Sequence, residues 1–261
     1  MRLMSIVDFR EKWELTLKVA LLVVLPGLFI QYYVRLQGWN ILDMDIIIAS
    51  LLTGAVFLIG FMLAGILQDF KESEQLLNNV ANGILTIQDH NRTEPNKTKR
   101  KELLKHLFFL SKEVRDWLED KVKADKIYEM TNDLNHYFAK FDNKNCDSWM
   151  EENQKTLRQT IMRIEVIKNT MFIKAGYTIM EIISASVIVL ILFSQTDTFI
   201  LGAATYAASS FTLVYMILLI KDMDDPFQFD SNEQKLGAAE VSMIPIDTTI
   251  ELLQKEMKGM K

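Results

Sequence analysis

One cysteine, Cys146, among 261 residues excludes a disulfide framework, and four prolines and ten glycines leave no room for a long flexible linker. Bulk positive charge is missing as well. A formal net charge of −5 argues against a partner held by attraction to a polyanion, nucleic acid included. Chemistry-bearing motifs are equally scarce. His90, His106 and His136 are scattered, no His or Cys stands at metal-ligand spacing, and no phosphate loop, dinucleotide glycine fingerprint, serine elbow or HExxH occurs. Neither an enzyme nor a bound cofactor is expected. The N-terminus, MRLMSIVDFREKW, is charged and lacks a small-residue cleavage site, so the first apolar stretch is expected to remain as a membrane helix.

Charge is also absent locally, and that absence is the informative one. Positions 19–34 hold sixteen residues without a charge, 46–68 twenty-three, 182–196 fifteen and 198–220 twenty-three. About twenty apolar residues let a helix cross about 30 Å of hydrocarbon. The expected spans are Leu15 to Val34, Ile46 to Gln68, Ala175 to Gln195 and Thr198 to Ile220, forming two hairpins. Of 29 Lys and Arg residues, only Arg35 lies in either hairpin turn, which puts both termini and the long middle segment on the cytoplasmic side of a multi-pass membrane protein. The expected organisation is a cytoplasmic segment over 1–14, a hairpin over 15–68, a helical cytoplasmic domain over 69–174, a second hairpin over 175–220 and a cytoplasmic tail over 221–261.

Helical periodicity fills the middle segment. The second span has no stop signal and its pattern continues to Asn91; a second helix reads from Thr98 to Val122 with Leu103, Leu104, Leu107, Phe108, Val114, Trp117 and Leu118 on one face. A third reads from Lys126 to Phe141, and a fourth, capped near Asp147, runs on into span three. Two helices passing unbroken from membrane to cytoplasm would couple the layers mechanically. In the tail, Thr248 and Glu251 read as a capping box ahead of an Ile250, Leu253, Met257 stripe suited to docking on the cytoplasmic helices or a neighbouring subunit. No strand-like alternation occurs, so the fold class is all-α. Sequons at Asn91 and Asn96 read as chance matches at cytoplasmic positions.

Within the spans, three features carry candidate chemistry. Thr53, Phe57 and Phe61 are spaced four apart among small residues; in a ring of identical subunits they could stack as layers of a central pathway, gated by dewetting, or they could simply face lipid and neighbours. Glu181 is the ionisable residue well inside a span, and it stands either in the membrane with a partner or at the headgroups beside Lys174. Asp222, Asp224, Asp225 and Asp230 crowd a helix C-terminus against its dipole, which calls for solvation, basic partners such as Lys71, or a cation.

The run GFMLAGILQDFKESEQLLNNVANGILT from Gly60 to Thr86 resembles the second-helix signature of the bestrophin-like membrane proteins, prokaryotic and plant relatives of bestrophin anion channels. The matching parts are Gly65, Phe70, Gln75-Leu76 and Ala81-Asn82; Asp225-Pro226-Phe227 and VSMIP from Val241 match the segments after the last span. The resemblance implies a homo-oligomeric ion channel, a pentamer, with inorganic ions and the lipid bilayer as its partners, and a neck at Phe57 and Phe61. Thr53 stands where relatives carry an apolar residue. Asp69, at the inner mouth, replaces a usual Arg, which would favour cations, and the acidic calcium-binding string is reduced here to Gln228-Phe229-Asp230. Calcium or another cation at the tail is therefore only a candidate ligand. Two other readings remain open: a non-conducting scaffold or signalling protein, and a small proton-coupled transporter using Glu181.

Overall fold

In the computed structural model, which describes residues 15–43, 46–141, 144–170, 174–227 and 239–260 and the backbone alone of 144–148, every described element longer than two residues is a helix. The described helices long and apolar enough to cross a membrane include α1 (Leu15–Leu36), α2 (Ile46–Asn91) and α7 (Phe199–Met223), and a fourth candidate span ends at Leu192. The remaining helices are α3 (Lys97–Leu118), α4 (Ala124–Phe138), α5 (Lys144–Asn169), α6 (Lys174–Leu192) and α8 (Ile244–Gly259). The protein is thus an all-α membrane protein. Two short strands, β1 (Leu42–Asp43) and β2 (Ser194–Gln195), pair in parallel, a feature without a sequence signal because two residues are too short to show a period.

The chain divides into two compact units, with one cut between Gln68 and Asp69. The first, Met1–Gln68 with Met171–Asp224 and Gly237–Ala239, holds the apolar helices. Pro26 shapes α1: without an N–H, and with a ring that crowds the carbonyl four residues back, it is incompatible with a regular turn there. The turn ahead of it widens into a π-segment, Ala20–Val24, closed by the Leu25 N–H donating to the Ala20 carbonyl. The helix ends in a Schellman motif. Gly38, at φ 69°, lets the Gly38 and Trp39 amides donate back to Arg35 and Val34 at 3.1 and 3.0 Å. A Cβ added at Gly27 of α1 would run into the Tyr206 ring of α7, and the buried Gln31 Nε2 donates to the Gly202 carbonyl at 3.2 Å.

The second unit comprises Asp69–Thr170, Asp225–Leu236 and Glu240–Lys261. Its core is built from Leu77 and Ile84 of α2, Leu103, Leu104, Leu107 and Leu118 of α3, and Leu134 of α4, with Leu253 of α8 and Phe227 packed in. Each fully buried leucine is worth about 1.5–3 kcal/mol relative to leaving it in water. All seven apolar residues expected on the face of α3 are buried. Asn96 is its N-cap, its side chain accepting from the Thr98 and Lys99 amides. Asn91 is fully buried and donates to Gln88 and to the Arg100 carbonyl. Both sequon amides are therefore structural.

Two boundary expectations need correction. The C-terminal helix starts at Ile244, with Pro245 in its first turn, a favoured place for a residue that has no amide to satisfy. Thr248 and Glu251 consequently lie inside α8 and form no capping box at its start. Likewise α5 begins at Lys144, so Asp147 falls in its first turn and is not its cap. The expected continuity of that helix with span three falls on 171–173, which lie outside the described residues; α5 ends at Asn169 and α6 begins at Lys174. The docking expectation for the tail is met by a larger face: Ile246, Thr249 and Leu253 are buried, with Ile250 and Met257 packed around them. Glu256 fastens it by accepting from Arg92 at 3.1 and 2.8 Å and from Gln88 at 2.9 Å.

Candidate functional site

The 46-residue α2 has one face packed and one face open over its apolar half. Ile48, Ala55, Ile59, Met62 and Ile66 are buried and recur at helical spacing. At 3.6 residues per turn they lie within about 40° of the direction opposite Phe57. Thr53, Phe57 and Phe61 fall within about 40° of Phe57 itself. Phe57 and Phe61 are 76% and 69% exposed, and a Cβ added at Gly54 or Gly60 would meet nothing within 4 Å. The three residues singled out from spacing thus share one face, and that face has no partner from this chain among the described residues. Thr53 donates its hydroxyl hydrogen to the Ala49 carbonyl at 2.8 Å. Its donor is satisfied within the helix, which makes the side chain behave as less polar than its name suggests.

Asp69 is not on that face. It stands about 120° round the helix from Phe57, is half-buried, and lies within electrostatic reach of Arg163 of α5. The Arg163 guanidinium forms a two-point bond to Glu72, Nε to Oε1 at 2.7 Å and a terminal nitrogen to Oε2 at 2.8 Å. That hydrogen bond holds the Glu72 carboxyl below its ordinary range and raises the Arg163 guanidinium. The acid expected at an inner mouth therefore sits beside a charge pair, on the flank of the helix.

Glu181, in the second turn of α6, is bonded to Lys221 in the last turn of α7, with Nζ and Oε1 at 2.5 Å. Lys221 also complements the C-terminal end of its own helix dipole. Of the acidic string, Asp222, Asp224 and Asp225 are half-buried, and the Tyr177 hydroxyl faces the Asp224 carboxylate. Asp230 lies outside the described residues. No group of three or more His, Cys, Asp or Glu able to hold a metal ion occurs among the described residues, so the three described aspartates form no cation cage. Lys71, offered by the sequence as their partner, forms no ion pair among the described residues and is exposed. Phe227 is buried, and the Pro226 carbonyl accepts from Val241 at 3.0 Å.

Sequence reasoning missed Lys221 as the partner of Glu181. Forty residues separate them and no periodic signal joins two helices. It also missed that Lys168 Nζ donates to the Trp117 and Leu118 carbonyls at 3.0 and 3.1 Å and to Asp120 at 2.6 Å, closing the C-terminus of α3.

No protein-family model matches the chain, and no curated protein matches it. Solved structures do. A bacterial bestrophin homolog from Klebsiella pneumoniae is similar at 14% identity with a TM-score of 0.71, covering 97% of this chain and 98% of the other. A point variant of a bacterial bestrophin homolog from the same organism gives 14% and 0.72 over 94% and 97%. A structure described as a membrane protein gives 12% and 0.76 over 92% and 98%. Identities this low establish likeness of backbone and nothing finer: the chain has the fold of the bacterial bestrophin homologs.

Proposed function

We propose that the protein is a homo-oligomeric ion channel whose central path is lined by the open face of α2, with Thr53, Phe57 and Phe61 forming an apolar neck. The observation that carries this reading is the exposure of two phenylalanines, four residues apart, on the face opposite the packed side of α2. Rings of such side chains exclude water at a narrow radius and admit it after a small widening. The fold shared with bacterial bestrophin homologs supports the reading and, with it, a pentamer in the lipid bilayer. The placement of Lys and Arg supports a cytoplasmic position for both termini and the second unit. No catalytic role is assigned to any residue. A transporter using Glu181 as its proton-coupling group is disfavoured, because that carboxylate is bonded to Lys221.

Reconstitution in planar bilayers tests the proposal. Single-channel currents are expected from the purified protein, with Phe57→Ala and Phe61→Ala each raising open probability. Lipid-background currents from all three would overturn it and favour the scaffold reading.

A further inference from the structure

The open face of α2 does not end with the neck. Ala64, Gln68, Lys71, Gln75, Asn78 and Asn82 are all exposed, and at 3.6 residues per turn all lie within about 60° of Phe57. This side of the helix is unusual in composition. The chain is 24% charged, and exposed helix faces normally carry Lys and Glu, yet the stretch is dominated by carboxamides, including Asn residues that are poor helix formers. Its charges can be sorted one by one. Asp69 is about 120° away and within reach of Arg163. Glu72, at the edge of the face, is held by the same guanidinium at two points. Glu74 stands about 100° round toward the flank. Lys71 remains, exposed and without an ion pair among the described residues.

We infer that Lys71, rather than Asp69, sets the charge preference of the path, attracting anions to its inner end within an otherwise neutral amide lining. The inference rests on the proposed channel. An ammonium repeated in every subunit of a ring adds its potentials at the axis, whereas Asp69, about 120° round the helix from the open face, is turned away from that axis. Neutral amides beyond the neck let an ion regain hydrogen-bond partners without selecting its sign.

The test is the reversal potential of reconstituted channels in asymmetric potassium chloride. Lys71→Glu is expected to change the chloride-to-potassium permeability ratio by about fivefold or more toward potassium, an effect that shrinks at high ionic strength. Lys71→Gln, which keeps the side chain's length and polarity, is expected to move it part of the way, and Asp69→Asn to leave it unchanged. Currents whose reversal potential ignores both Lys71 variants would overturn this inference and leave the channel standing, as would a shift produced by Asp69→Asn instead. Absence of current from the unaltered protein would overturn the channel and the inference together.

Discussion

Lys221 Nζ lies 2.5 Å from Glu181 Oε1, joining the last turn of α7 to the second turn of α6. Both side chains are about half exposed within the chain, at 47% and 48%, so the pair is not a deeply buried one. Its surroundings decide its worth. Exposed pairs in water contribute about 0.2–1 kcal/mol, and an ionisable group inside hydrocarbon needs its partner far more. Glu181→Gln and Lys221→Gln are each expected to lower the melting temperature in detergent. The double variant should lose less than the sum, with a coupling of about 0.5 kcal/mol or more. Strictly additive losses would contradict the pairing.

Lys168 closes α3 from a neighbouring helix. Asp120, at φ 57°, occupies a position in the helix's C-terminal turn where glycine is usual, and the ammonium bonds both that carboxylate and two terminal carbonyls. Lys168→Met is expected to cost about 1–2 kcal/mol of stability in the second unit. Hydrogen exchange should then quicken first at the end of α3. Unchanged protection there would show that the cap is idle.

Gly27 and Tyr206 admit no side chain between them. A Cβ at position 27 would fall inside contact distance of the Tyr206 ring and hydroxyl. Gly27→Ala should therefore destabilise by about 1–3 kcal/mol. Tyr206→Ala opens space, so combining the two should cost less than their sum. Detergent melts of the two single variants and the double variant measure this directly.

Acid should weaken the second unit in two steps. Burial lowers the His106 pKa from the usual 6.5, so on acidification the unfolded chain takes up a proton first and stability falls from that pH down to the folded-state value. The Arg92 guanidinium lowers the Glu256 pKa from 4.5; that pair's contribution is full above 4.5 and is lost as pH falls through the depressed value. Melting temperature should be flat near neutrality and decline below about pH 6.5. His106→Gln should remove the first part of the decline and Glu256→Gln the second. A melting temperature that rises on acidification would contradict both assignments.

Much of this fold could be read from the sequence because hydrocarbon imposes a long chargeless helix and a core imposes a periodic face. The Ile46 to Gln68 span and the Leu103 to Leu118 face are both of this kind. The Thr53, Phe57, Phe61 stripe was legible for the same reason, since spacing by four fixes a shared face. The angular position of Asp69 was not legible from its nearness to the end of a span, because two residues along a helix are about 200° apart. Lys221 and Lys168 were invisible because their partners lie on other helices, reached only through packing. Thr248 misled because a capping box is a local pattern, and Pro245 offered a better start three residues earlier.

Cysteine accessibility measures whether the open face of α2 lines a water-filled path. In a Cys146→Ser background, Phe57→Cys, Phe61→Cys and Ile59→Cys would each be reconstituted and exposed to a charged, membrane-impermeant thiol reagent during current recording. Current through Phe57→Cys and Phe61→Cys is expected to change irreversibly while Ile59→Cys, whose parent side chain is buried, is unaffected. Modification of Ile59→Cys with the two phenylalanine positions inert would contradict it.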